Sequence, residues 1–110
     1  MSKYQSRKTI VDGIAFDNNK KAKVYLELKS LERAGRIKDL SVQHRFELQP
    51  TFKKNGETIK AITYIADFVY FDFDLMKIVV MNVKGCLSDV NNLKKKLFEY
   101  KFPDLSIQEV

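Results

Sequence analysis

Apolar residues are densest between Ala61 and Gly85, in the stretch AITYIADFVYFDFDLMKIVVMNVKG. Two apolar runs flank a short break at Asp72 to Leu75. That pattern predicts two strands, about Ile59 to Phe71 and Lys77 to Lys84, joined as a hairpin. Apolar side chains fall on both faces of each run, as in central strands covered on two sides. One carboxylate, Asp67, interrupts the first run.

Upstream, residues 1–10 read as a basic tail or a short lead-in strand, and Val11-Asp12-Gly13 is a turn signal. Asp17, Asn18 and Asn19 offer capping oxygens for a helix over about 18–34, which Gly35 stops. At 100° per residue, Val24, Tyr25, Leu28 and Leu31 fall on one side of it. Lys21 and Glu32 lie within that apolar arc, while Lys20, Lys23 and Glu27 point away. A lysine near a helix start can pack its stem and still reach water, which is the plain reading of Lys21. Ile37 to Leu48 reads as a strand closed by Pro50, and Lys53-Lys54-Asn55-Gly56 as a turn.

Downstream, Gly85 breaks the last run. Ser88 or Asp89 caps a second helix over 89–101, with Val90, Leu93 and Leu97 inward and Lys94, Lys95 and Lys96 near the rim. Pro103 ends it, and Leu105 to Val110 reads as a final strand. The expected order is helix, three strands, helix, strand. It predicts an α/β fold, a mixed sheet with a helix on each face.

A chain of 110 residues, 45% hydrophobic, is expected to form one domain spanning 1–110. Its one cysteine, Cys86, leaves no intrachain disulfide and no cysteine zinc cage, which fits a reducing cytoplasm. No apolar segment follows the basic start MSKYQSRKT, and no run approaches the ~20 residues of a membrane span. Neither a signal peptide nor a membrane is expected. His44 is the one histidine, so no histidine-based triad or metal cluster is in view, and no phosphate-binding glycine loop occurs.

The net charge is +6, and residues 1–36 carry nine Lys and Arg against four Asp and Glu. An excess gathered in one segment suits a polyanion such as DNA or RNA. The candidate phosphate contacts are Lys20, Lys21, Lys23, Arg33, Arg36 and Lys94, Lys95, Lys96.

Alternation puts Asn82 and Lys84 on one face of their strand. Pairing through the 72–75 turn brings Asp67 near Asn82. A carboxylate inside a central strand is costly without a partner. Lys84, a backbone amide or a metal can fill that role, and a structural Asp67–Lys84 ion pair is the simplest.

With these pieces in place, the chain resembles the PD-(D/E)xK nuclease superfamily, which includes restriction endonucleases and Holliday-junction resolvases. Within it the chain looks like a small phage-encoded family. The stretches that carry the likeness are YQSRKTIVDGIAFDNNKKAKVYLELKSLERAGRIKDLSVQ, YIADFVYFD and VVMNVKG, nearly the whole chain. The resemblance implies a restriction-endonuclease-like core and a site for Mg²⁺ or Mn²⁺, held by a first-helix Glu, a strand-two Asp and a strand-three acid. The metal would activate water, and a lysine would neutralise the phosphate. Asp67 and Lys84 match this pattern. Lys21 stands where the helix acid belongs, and Asn82 where the strand-three acid belongs. Gln43 matches a glutamine to which no role is assigned. The resolvases of the superfamily imply a homodimer and, as substrate, branched DNA.

The two departures invert the charge. Three carboxylates and a lysine sum to −2, whereas Lys21, Asp67, Asn82 and Lys84 sum to +1. A lysine ~5 Å from a divalent cation repels it by about 6 kcal/mol at an effective dielectric of ~20. Asn82 offers a carbonyl oxygen, a poorer ligand for Mg²⁺ than a carboxylate. Asp17, one turn before Lys21, or Glu32 is a candidate relocated acid, although Asp17 also reads as a helix cap. Three functions follow. The first, which the charge inversion favours, is a DNA-binding protein of nuclease fold with catalysis impaired or lost. The second is an active Mg²⁺-dependent endonuclease or resolvase using Asp67 and Lys84. The third is an inhibitor or adaptor of a phage or host nucleic-acid enzyme.

Overall fold

The structure is a computed structural model and describes residues 8–83 and 88–110. The described residues open on a hairpin. β1 (Thr9–Val11) and β2 (Ile14–Phe16) pair antiparallel around Asp12 and Gly13, at φ 53° and 77°. Two left-handed residues in succession match the twist of the flanking strands, so the turn closes tightly. Residues 1–7, most of the expected tail, lie outside the described residues.

α1 (Asn19–Arg33) starts at Asn18, whose Oδ1 accepts the Lys21 backbone N–H at 2.9 Å. Capping by Asn18 leaves the Asp17 carboxylate free for other work. At the far end Gly35 adopts φ 75°, and the Gly35 and Arg36 amides donate back to Glu32 and Leu31. That pattern satisfies carbonyls the helix leaves open, and it needs a residue at ease with positive φ. Ala22, Tyr25 and Leu28 are buried; Leu31, expected inward, is 39% exposed. Tyr25 Oη donates to Asp12 Oδ2 at 2.7 Å, clasping the first hairpin to the helix.

β3 (Ile37–Gln49) leads to a small ribbon, β4 (Phe52–Lys54) with β5 (Glu57–Ile59); of the expected 53–56 turn only Asn55-Gly56 turns, and Lys53 and Lys54 belong to β4. The chain returns as β6 (Ile62–Asp72) and turns into β7 (Lys77–Asn82). Residues 59–71 are therefore not one strand, because the ribbon is a separate two-stranded sheet. After α2 (Asp89–Lys101), β8 (Ile107–Glu109) pairs parallel with β7. The central sheet has the order β3-β6-β7-β8, antiparallel except at β7–β8, so it is mixed as expected.

The sheet carries apolar residues on both faces. On the α1 side, Phe68, Tyr70, Val79, Met81 and Val83 pack with Phe16, Tyr25 and Leu28. On the α2 side, Tyr64, Ala66 and Val80 pack with Phe98. Val90, Leu93 and Leu97 do not face inward; they are 60%, 58% and 39% exposed. Phe98 takes that role, meeting Phe46, Tyr64 and Phe102 at ring separations of 4.9, 5.3 and 5.0 Å. Large rings gain more from burial and edge contacts than the aliphatic trio would, and they set the rotation of α2. Among the described residues, no helix is long and apolar enough to cross a membrane.

Candidate functional site

β6 and β7 hold Asp67 and Asn82 together. Their register, continued one step past the Phe68–Met81 pair, sets Asp67 opposite Asn82. β8 adds a third member, since Asn82 is paired with Glu109. The Val110 amide then donates to the Asn82 carbonyl at 3.1 Å. The first turn of α1 brings Lys21 to this part of the sheet, and the residue before its cap brings Asp17. These residues line a cleft of about 570 Å³ with Gln43, Arg45, Thr63, Tyr64, Ile65, Val83, Asn91, Lys94 and Lys95.

At the floor, Asp67 uses both carboxylate oxygens. Oδ2 accepts the Val83 backbone N–H at 2.7 Å, and Oδ1 meets the Lys21 ammonium at 3.2 Å. Lys21 reaches Asp17 Oδ2 at the same distance. The side chains of Asp67 and Lys21 are only 13% and 18% exposed, whereas Asp17 is 71% exposed. Burial pulls the Lys21 pKa down, but the nearby Asp67 and Asp17 outweigh it and hold it above the ordinary lysine value. Lys21 is therefore a fixed cation on the inner carboxylate, a packed stem with its charge directed inward rather than to water.

Lys95 pairs with Glu109 at the cleft wall. The charged lining comprises Lys21, Arg45, Lys94 and Lys95 against Asp17, Asp67 and Glu109, a balance of +1. Tyr64 also lines the cleft, and its buried hydroxyl has no hydrogen-bond partner among the described residues. Burial, then the Asp67 charge, pushes its pKa up to about 12.

The implied divalent metal does not fit this donor set. An Mg²⁺ ligand distance is about 2.1 Å, so a cation on Asp67 Oδ1 would lie within about 5 Å of the Lys21 ammonium, which is 3.2 Å from that oxygen, and the two like charges would repel. Among the described residues, no three Asp, Glu, His or Cys side chains are grouped to hold a metal ion. Glu32 is no substitute: it pairs with Lys29 at 2.9 Å and does not line the cleft. Asp17 is the candidate acid that does reach the site, and there it neutralises Lys21.

The sequence-derived candidates separate by position. Lys21, Gln43, Asp67, Asn82, Lys94, Lys95 and Asp17 converge on the cleft. The Gln43 amide donates to the Ala15 carbonyl at 3.2 Å, tying β3 to the first hairpin from a backbone at φ 53°. Lys20 turns to the Val110 carbonyl, and Lys23 and Lys96 are exposed outside the lining. Arg36 pairs with Asp74 in the β6–β7 turn, seven residues beyond Asp67, or about 20 Å along an extended strand. Arg33, in the last turn of α1, shares that remote end. Lys84 lies outside the described residues. Arg45, Thr63, Tyr64, Ile65, Val83, Asn91 and Glu109 complete the lining without having been singled out in the sequence. For Arg45 alone, a cue existed in its alternation with Gln43 along β3.

Compared with known proteins, the chain matches one family model over residues 1–110, and that family is described as a protein of unknown function (DUF1064). No curated protein and no solved structure matches it.

Proposed function

The chain belongs to the DUF1064 family, and from that premise and the cleft we propose a DNA-binding protein with a restriction-endonuclease-like core that has given up catalysis. The observation that carries this reading is the Lys21 ammonium, 3.2 Å from both Asp67 Oδ1 and Asp17 Oδ2. A protonated lysine stands in for the cation that a nuclease of this type would recruit. It offsets the charge of Asp67, the inner of the two acids it touches, and so weakens the repulsion of a phosphate. Arg45 and Lys94 then supply positive charge around the opening, with Lys95 held on Glu109. The element order within the larger fold, with Asp67 on the middle strand beside Asn82, supports the nuclease-type ancestry.

Fluorescence anisotropy with labelled linear and four-way DNA tests the reading. Binding should survive EDTA. With about four phosphate contacts it should weaken about 100-fold between 50 and 200 mM salt. Neither Mg²⁺ nor Mn²⁺ should yield cleaved product. Cleavage that EDTA abolishes and Asp67→Ala removes would establish an active endonuclease instead.

A protein partner is a second reading, favoured by the outer face of α2. Val90, Leu93 and Leu97 lie there with Tyr100, which is 88% exposed. Co-purification of one stoichiometric protein, together with no DNA binding at about 50 mM salt, would favour it over the first.

A further inference from the structure

We infer that the β4–β5 ribbon is an arm that enters the major groove of duplex DNA lying across the cleft, an inference that rests on the DNA-binding reading above. The ribbon extends the β3–β6 hairpin beyond the central sheet, and every residue from 50 to 60 is exposed. It is nonetheless built rather than loose. Asn55 and Gly56, at φ 52° and 79°, close the tip, and the Ala61 amide donates to Thr51 Oγ1 at 3.1 Å across the base.

Its charge is one-sided. Pairing sets Phe52 opposite Ile59, Lys53 opposite Thr58 and Lys54 opposite Glu57. By alternation, Phe52, Ile59 and the Lys54–Glu57 pair share one face, on which the charges offset each other. Lys53 and Thr58 occupy the other face, and Lys60 follows at the base. Neither Lys53 nor Lys60 forms an ion pair among the described residues. A face that offers ammonium groups beside a hydroxyl suits phosphates flanking base edges.

The dimensions agree. The three-residue strands rise about 10 Å, while the major groove is about 8.5 Å deep and about 12 Å wide, room for a two-stranded ribbon. The root of the arm leads directly into Thr63, Tyr64 and Ile65, which line the cleft. A duplex backbone seated on Arg45 and Lys94 therefore lies beside it. Isolated two-stranded ribbons are marginal in water, so an arm touching little else gains order from a partner.

The test compares the intact chain with Lys53→Gln/Lys60→Gln, both surface changes that leave the turn intact, and with Thr58→Ala. Anisotropy is read on a duplex and on its single strand across a salt series, and guanine N7 methylation is footprinted on the duplex. The double variant should bind the duplex about tenfold more weakly, with a salt slope lower by about 2, and lose the single strand less than twofold. Thr58→Ala should leave the slope unchanged but reduce N7 protection. Unaltered duplex affinity, slope and footprint in the double variant, with the intact chain still binding, would overturn the arm and leave the DNA-binding reading standing. Failure of the intact chain to bind duplex would overturn both. Sedimentation showing a dimer that Phe52→Ser dissolves, with the footprint unchanged, would assign the ribbon to a second copy and overturn the inference.

Discussion

Replacing Lys21 with Met removes the ammonium and keeps much of the stem. At 3.2 Å and an effective dielectric of ~20, the Lys21–Asp67 attraction is about 5 kcal/mol before desolvation. Asp17, largely in water, adds under about 1 kcal/mol. Removing one partner of a fully buried pair costs about 3–5 kcal/mol, because a charge is left uncompensated. Here the side chains keep 13–18% exposure, and Asp67 retains the Val83 N–H, so the expected loss is about 2–3 kcal/mol. In a urea titration followed by circular dichroism, that lowers the midpoint by about 2 M for a slope near 1.3 kcal/mol/M. Asp67→Asn keeps an acceptor for Val83 while discarding the charge. The double variant Lys21→Met/Asp67→Asn should recover most of the stability, with a coupling energy of about 2 kcal/mol. Coupling near zero, or a Lys21→Met loss below about 0.5 kcal/mol, would refute the picture of a resident cation holding the inner carboxylate.

Two further outcomes follow from the same region. Tyr64→Phe removes a buried hydroxyl that has no partner among the described residues, so it should stabilise the chain by up to about 1 kcal/mol at pH 7. The folded-state pKa of Tyr64, near 12, lies above the ordinary value of 10.0, so its contribution is intact below pH 10 and is lost as the pH climbs toward 12. Two pKa units correspond to about 3 kcal/mol. Lys21, also raised, adds to the loss above pH 10.5. Urea titrations at successive alkaline pH values should therefore show a shallower decline in Tyr64→Phe than in the parent, and identical declines would contradict this. Asn18→Ala leaves the Lys21 backbone amide without its cap and should cost about 1 kcal/mol, read as a lower melting temperature. An unchanged melting temperature would show that water replaces the cap without loss.

Local signals made much of the fold readable in the chain itself. A cap within Asp17–Asn19 and the Gly35 stop bracket α1, turn signals at 53–56 and 72–75 separate strands, and the two-sided apolar runs mark β6 and β7 as central. Each is short-range physics: a side chain reaches its own backbone, or one residue tolerates a torsion its neighbours avoid. Strand alternation and a hairpin turn were also enough to anticipate Asp67 near Asn82. Long-range choices were not encoded that way. Which residue of α2 faces the sheet depended on the rings of Phe46, Tyr64 and Phe102, from other parts of the chain. Lys21, which meets Asp67, comes from a helix forty-six residues earlier, and Glu109 arrives through a parallel register that no local pattern specifies. Arg33 and Arg36 added to the same basic segment yet lie at the remote end, because charge counted along a sequence carries no direction in space. Packing decides which charges meet, since only the assembled core sets how far each helix slides and turns over the sheet.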